Sequence, residues 1–186
     1  GAGEANQSRT RLWLNRSPQP STETGQLHQR RELTVKPVIL TSLGYYLPGY
    51  KSGGPLKTIL NLVEHLKNDF EFKILTIDRD LGDAEPYPGI APDCWHEVDG
   101  VLVHYTSPDS HSLRGLAGIL RDTPHDLLYL NGFFSPRITG IPLILRRLGR
   151  IPRGPVVVAP RGEFSEGALE LKSWKKRSYI MAAKAL

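Results

Sequence analysis

From Lys36 onward the chain alternates short apolar runs with segments of helical spacing, and this rhythm limits the fold more than any other feature. Val38-Ile39-Leu40-Thr41, Phe72 to Ile77, Val101 to Tyr105, Asp126 to Leu130 and Val156 to Ala159 are apolar runs bounded by turn residues. Such runs suit strands buried on both faces, the condition of a parallel sheet. Between them, Pro55 to Leu66 sets Leu56, Ile59, Leu60, Val63 and Leu66 on one helical face, with Gly54 as cap and Pro55 at the first helical position. Ser112 to Arg121 carries Leu113, Leu116, Ile119 and Leu120 at the same spacing. Ser135-Pro136 opens a third helix with Ile138, Ile141, Ile144, Leu145 and Leu148 inward and Gly149 as its stop, and Pro142 should kink it or delay its start. The alternation predicts an α/β fold, a Rossmann-like parallel sheet with helices on both faces and right-handed crossovers.

The two ends read differently. Residues 1–34 are rich in Ser, Thr, Gln, Gly and Arg without helical or strand periodicity, as expected of a disordered leader or a sequence artefact, and leave 35–186 as the folded domain. After Ser165 as N-cap, the segment to Leu186 reads as a helix that no Gly, Asn or Pro terminates, which predicts a domain cut within its last helix. The single cysteine, Cys94, allows no disulfide within the chain and fits a reducing compartment. No apolar run reaches the roughly 18–20 residues that span a bilayer, and no secretory layout opens the chain, so a cytoplasmic location is expected.

The net charge of +5 is segregated. Asp69 to Asp99 holds nine acidic residues against Lys73 and Arg79, whereas Phe133 to Gly162 holds six arginines and no acid. The basic stretch is either a solvated face or an attractor for an anion such as a phosphorylated substrate or a membrane surface. It lacks the interleaved aromatics of a single-strand nucleic-acid surface, so no nucleic-acid partner is expected. The six histidines are scattered, with no HExxH and no cysteine cluster, so no metal is expected. GxSxG is also absent.

Three loops lie at strand-to-helix junctions, where open parallel sheets bind ligands. In Tyr45 to Pro55, Tyr50, Lys51, Gly53 and Gly54 form a glycine-bearing loop before a helix N-terminus, suited to a phosphate or sugar hydroxyl close to the backbone, or else a tight turn that uses Gly and Pro for geometry alone. It is neither GxGxxG nor a P-loop. In Asn131-Gly132-Phe133-Phe134-Ser135, Asn131 suits a hydroxyl and Phe133 a sugar face, or else Asn131 caps a turn over packed phenylalanines. In Ala159 to Ser165, Arg161 has the planar fork for a phosphate or carboxylate and Glu163 can orient a hydroxyl, or else the two form a structural pair.

Leu43 to Leu66 (LGYYLPGYKSGGPLKTILNLVEHL), Asp126 to Pro136 (DLLYLNGFFSP) and above all Val156 to Ile180 (VVVAPRGEFSEGALELKSWKKRSYI) resemble the N-terminal half of a GT-B glycosyltransferase of the family 4 type. The resemblance spans residues 37–186 and leaves out the leader. It implies a two-domain enzyme that moves a sugar from a nucleotide-sugar donor to a saccharide or lipid-linked acceptor, in bacterial polysaccharide or cell-envelope glycan synthesis. The acceptor side would lie in this half, and a C-terminal domain absent from the chain would hold the donor. Gly53 and Gly54 match the loop facing the donor phosphates, and Arg161 and Glu163 match the APRGEF loop near the cleft. Asn131 stands where many relatives have a histidine or another polar residue, and Glu166 where they often have proline. The resemblance further implies a retaining, metal-independent transfer with no cofactor, through an oxocarbenium-like state, and no side chain here is singled out as a nucleophile. Contact with the inner membrane face through the basic surface is also implied, and the fragment alone is expected to be inactive. The alternative is a non-catalytic Rossmann-like module that binds an anionic ligand.

Overall fold

A computed structural model describes residues 35–165, 176 and 178–181, and the architecture is that of the unit Lys36–Leu186. The leader expected over residues 1–34 and most of the segment expected as the C-terminal helix, residues 166–175, 177 and 182–186, lie outside the described residues, while Lys176 and residues 178–181 are helical. The elements in chain order are β1 (Val38–Ser42), α1 (Gly54–Leu66), β2 (Glu71–Ile77), β3 (Trp95–Val98), β4 (Val101–Thr106), α2 (Leu113–Asp122) and β5 (Leu127–Asn131). A π-helical turn, Pro136–Gly140, then runs into α3 (Ile141–Arg147), and β6 (Val156–Ala159) comes last.

The six strands form one sheet in the order β3-β4-β2-β1-β5-β6. All neighbouring pairs are parallel except β3 with β4. The expected α/β Rossmann-like sheet is therefore present, with one antiparallel edge strand. The period of two along each strand divides the apolar side chains into two cores. Ile39, Phe72, Ile74 and Val103 pack with Leu56, Ile59 and Val63 of α1. Leu40, Leu75, Leu128 and Leu130 pack with Leu116 and Leu120 of α2 and Leu145 of α3. Helices thus cover both faces. None among the described residues is long and apolar enough to cross a membrane.

Four local features depart from the sequence-based expectation. The Trp95–Val98 strand is absent from it, because these residues alternate only weakly; the signal lies in Asp99-Gly100, which turn with φ of 50° and 77° into a tight hairpin. Gly53, not Gly54, caps α1, its φ of 65° being one that glycine adopts freely. Leu113 is 53% exposed because it opens α2 directly after the Ser112 cap, whose hydroxyl accepts from Gly115 N at 3.2 Å. Ile144 and Leu148 are 37% and 65% exposed, since the π-helical turn shifts the phase of α3 and its inward stripe runs through Pro142 and Leu145. Pro142 does delay the α-helix, sitting in its first turn.

Leu40 is fully buried on the central strand, so Leu40→Ala should lower unfolding free energy by about 3 kcal/mol in a urea titration. Leu102→Ala, at a side chain 39% exposed, should change it by less than about 1 kcal/mol.

Candidate functional site

β1 leads through α1 to β2 on one side of it, while β5 lies on its other side. Neighbouring connections therefore diverge between β1 and β5 and leave a crevice beyond their carboxyl ends. A cavity of about 330 Å³ occupies that crevice, with Leu43, Ser52, Pro55, Asn131, Gly132, Arg161 and Glu163 in its wall. The three loops singled out in the sequence thus meet at one place.

The first loop is pinned by a residue that sequence reasoning missed. The Asp80 carboxylate, 4% exposed, accepts from the backbone N–H of Tyr50 at 2.8 Å, Lys51 at 3.2 Å and Leu81 at 2.7 Å. Burial works to raise the Asp80 pKa, but these backbone donors and the Lys51 ammonium outweigh it and hold the carboxyl below its usual range. Gly49 is required by the same contact, since a Cβ there would stand 2.3 Å from the Tyr87 hydroxyl and 2.9 Å from the Asp80 carboxylate. The clue available in the sequence is an acidic residue just past a strand's carboxyl end.

That clamp decides where the predicted residues of this loop go. Tyr50 is 78% exposed, and Lys51 is turned to an ion pair with Asp83, whose hydrogen bond raises the Lys51 pKa. Neither lines the cavity. Gly53 and Gly54 separate Ser52 from Pro55 on the rim, and a Cβ on either glycine would meet nothing within 4 Å. Gly53 is thus needed for its backbone angle, not for local space. Ser52 Oγ is buried without a hydrogen-bond partner among the described residues.

Asn131 and Arg161 form one unit. Arg161 Nε donates to Asn131 Oδ1 at 2.9 Å and Nη2 donates to the Tyr129 hydroxyl at 3.0 Å, while the guanidinium lies 5.7 Å from the Tyr129 ring centre. Asn131 Nδ2 donates to Ser42 O at 3.3 Å, so this amide fastens the end of β5 to that of β1 and to the Arg161 loop. Arg161 has a φ of 52°, a left-handed conformation that an L residue adopts only when its surroundings fix it. Its Nη1 has no hydrogen bond among the described residues.

Glu163 does not pair with Arg161. Its Oε2 accepts from the backbone N–H groups of Phe133 and, at 3.2 Å, Phe134. Phe133 packs in an aromatic cluster with Phe134, Phe164 and Tyr179 at ring separations of 5.1, 5.0 and 5.5 Å, and it is not in the cavity wall. Among the described residues no three His, Cys, Asp or Glu side chains are grouped to hold a metal ion. No protein-family model, curated protein or solved structure matches the chain.

The Asp80 clamp weakens in acid. A carboxyl whose folded pKa is depressed stabilises the fold above its unfolded value near 3.9 and loses that contribution as pH falls through the folded value. Amide exchange of Tyr50 and Lys51 should therefore stay slow from neutral pH to about pH 4 and accelerate below it, and Asp80→Ala should make both amides fast at neutral pH. For the second unit, a double-mutant cycle of Asn131→Ala and Arg161→Ala in urea unfolding should return a coupling of about 1–2 kcal/mol.

Proposed function

We propose that the chain is the acceptor-side half of a sugar transferase, which moves a sugar from a nucleotide-sugar donor to a saccharide or lipid-linked acceptor in polysaccharide or cell-envelope glycan synthesis. The observation that carries this reading is the convergence of Ser52, Pro55, Asn131 and Arg161 on one cavity at the sheet's switch point. Breaking a glycosyl–phosphate bond leaves negative charge on the departing diphosphate, which a preorganised cation or N–H group can stabilise. Arg161 suits this role because its Nε and Nη2 are fixed by Asn131 and Tyr129, and its Nη1 is left to face a ligand. Glu163 then acts as a positioning residue that orders the Phe133–Phe134 loop, and no side chain is assigned as nucleophile. Under this reading a second Rossmann-like domain would hold the donor.

The second reading is a non-catalytic module that binds an anionic ligand. It is favoured by the engagement of Asn131 and Glu163 within the protein, which leaves few groups in this cavity for chemistry.

The chain, extended through its downstream reading frame, should release nucleoside diphosphate from a panel of nucleotide sugars when a saccharide or lipid-linked acceptor is added. Arg161→Ala should slow that release by roughly a hundredfold. A downstream frame that encodes no second Rossmann-like half would overturn the transferase reading in favour of the binding module.

A further inference from the structure

A second and larger cavity, of about 510 Å³, opens beside the first at the carboxyl ends of β2 and β4. It shares Gly44, Tyr45 and Ser135 with the first, but its chemistry comes from residues that the transferase reading does not use. His111 is 6% exposed, and the direction of its hydrogen bond is settled by its partner. The Thr106 hydroxyl donates to Thr76 O at 2.8 Å, so at its 2.8 Å contact with His111 it must accept from Nδ1–H. In the neutral imidazole Nε2 is therefore the lone-pair nitrogen. It has no hydrogen-bond partner among the described residues, and the ring lines the cavity. Burial, followed by the nearby Arg137 guanidinium, lowers the His111 pKa against a smaller opposing effect of Asp78, which keeps the ring neutral at physiological pH.

The charges of the wall differ in availability. Asp78 and Arg79 neutralise each other through a contact of 2.8 Å between Arg79 Nε and Asp78 Oδ1, with Asp78 buried. Arg137 makes no ion pair or hydrogen bond among the described residues, so the cavity carries one uncommitted positive charge next to one uncommitted acceptor nitrogen. Ile77, Pro108 and Ile138 supply apolar wall of the kind that takes the C–H face of a sugar ring.

We propose that this second cavity binds an acidic sugar, with its carboxylate or phosphate on Arg137 and a ring hydroxyl donating to Nε2 of His111. An inorganic anion satisfies only the arginine, and a neutral sugar satisfies only the histidine, so the pair selects a ligand that carries both groups at once. Under the transferase reading this is the place of an acidic acceptor sugar, but the site stands on its own geometry.

Calorimetric titration of the full 186-residue chain with glucuronate, glucose 6-phosphate, glucose and inorganic phosphate tests this directly. One or both acidic sugars should bind at least about tenfold more tightly than glucose or phosphate, and their relative affinities identify which acid group the site takes. Arg137→Gln, a change at an exposed side chain, should weaken that binding by about tenfold or more. The imidazole ¹⁵N resonance of His111 Nε2 should move on binding, a response that a merely structural histidine would not give. Equal affinity for inorganic phosphate, an unchanged affinity in Arg137→Gln, or a stationary Nε2 resonance would each overturn the proposal. Binding is read without turnover, so its failure leaves the transferase reading intact and the failure of turnover leaves this site intact.

Discussion

β1 is closed on every side: β2 and β5 hydrogen-bond its two edges, α1 covers one face through Ile39, and α2 and α3 cover the other through Leu40. A strand so enclosed disfavours polar groups along it, and the Thr41 hydroxyl that it does carry is buried without a hydrogen-bond partner among the described residues. The segment after β1, from Leu43 through the glycine loop, lies at the open carboxyl end of the sheet, the place where open α/β sheets bind ligands. The divergence of the chain on the two sides of β1 opens the crevice, and the segments that follow β1, β5 and β6 supply most of its wall.

The loops on that rim are held by polar contacts, each with a different logic. Asp80 brings a full negative charge to three backbone donors, two of them in the glycine loop, and the Lys51 ammonium adds a favourable charge. Asn131 uses both ends of its amide, one on β1 and one on Arg161, and so ties sheet and loop together. Glu163 orders the Phe133–Phe134 backbone from a distance of thirty residues in sequence. The rim is thus preorganised by groups turned inward, and the polar residues left without a side-chain hydrogen bond in the two cavity walls, among the described residues, include Tyr45, Ser52, Ser135 and Arg137.

The layers and the central strands are legible in the sequence because unbroken apolar runs and helical spacing have one cheap explanation, burial between layers. The edge strand β3 is not, since an edge half exposed to water needs no strong alternation and Trp95-His96-Glu97-Val98 shows none. The convergence of the three loops follows from strand order alone, and so the position of the site is legible too. Its working groups are not. Tyr50, Lys51 and Phe133 have the right chemistry, but Asp80, Asp83 and the aromatic cluster draw them elsewhere, through contacts between segments thirty residues apart or more. His111 is invisible as a lone histidine, because its significance comes from the hydroxyl of Thr106, whose own donor direction is set by Thr76 on the neighbouring strand.

The Glu163 carboxylate has a consequence for electrostatic steering. Consecutive backbone N–H groups such as those of Phe133 and Phe134 are a ready anion receptor, and here the protein fills it with an anion of its own. A phosphate or carboxylate arriving at the rim meets repulsion on that side and attraction from the guanidinium groups of Arg161 and Arg137. The internal carboxylate thus acts as a fixed counter-field that gives the mouth a polarity, which under the proposed reading would orient an acidic ligand.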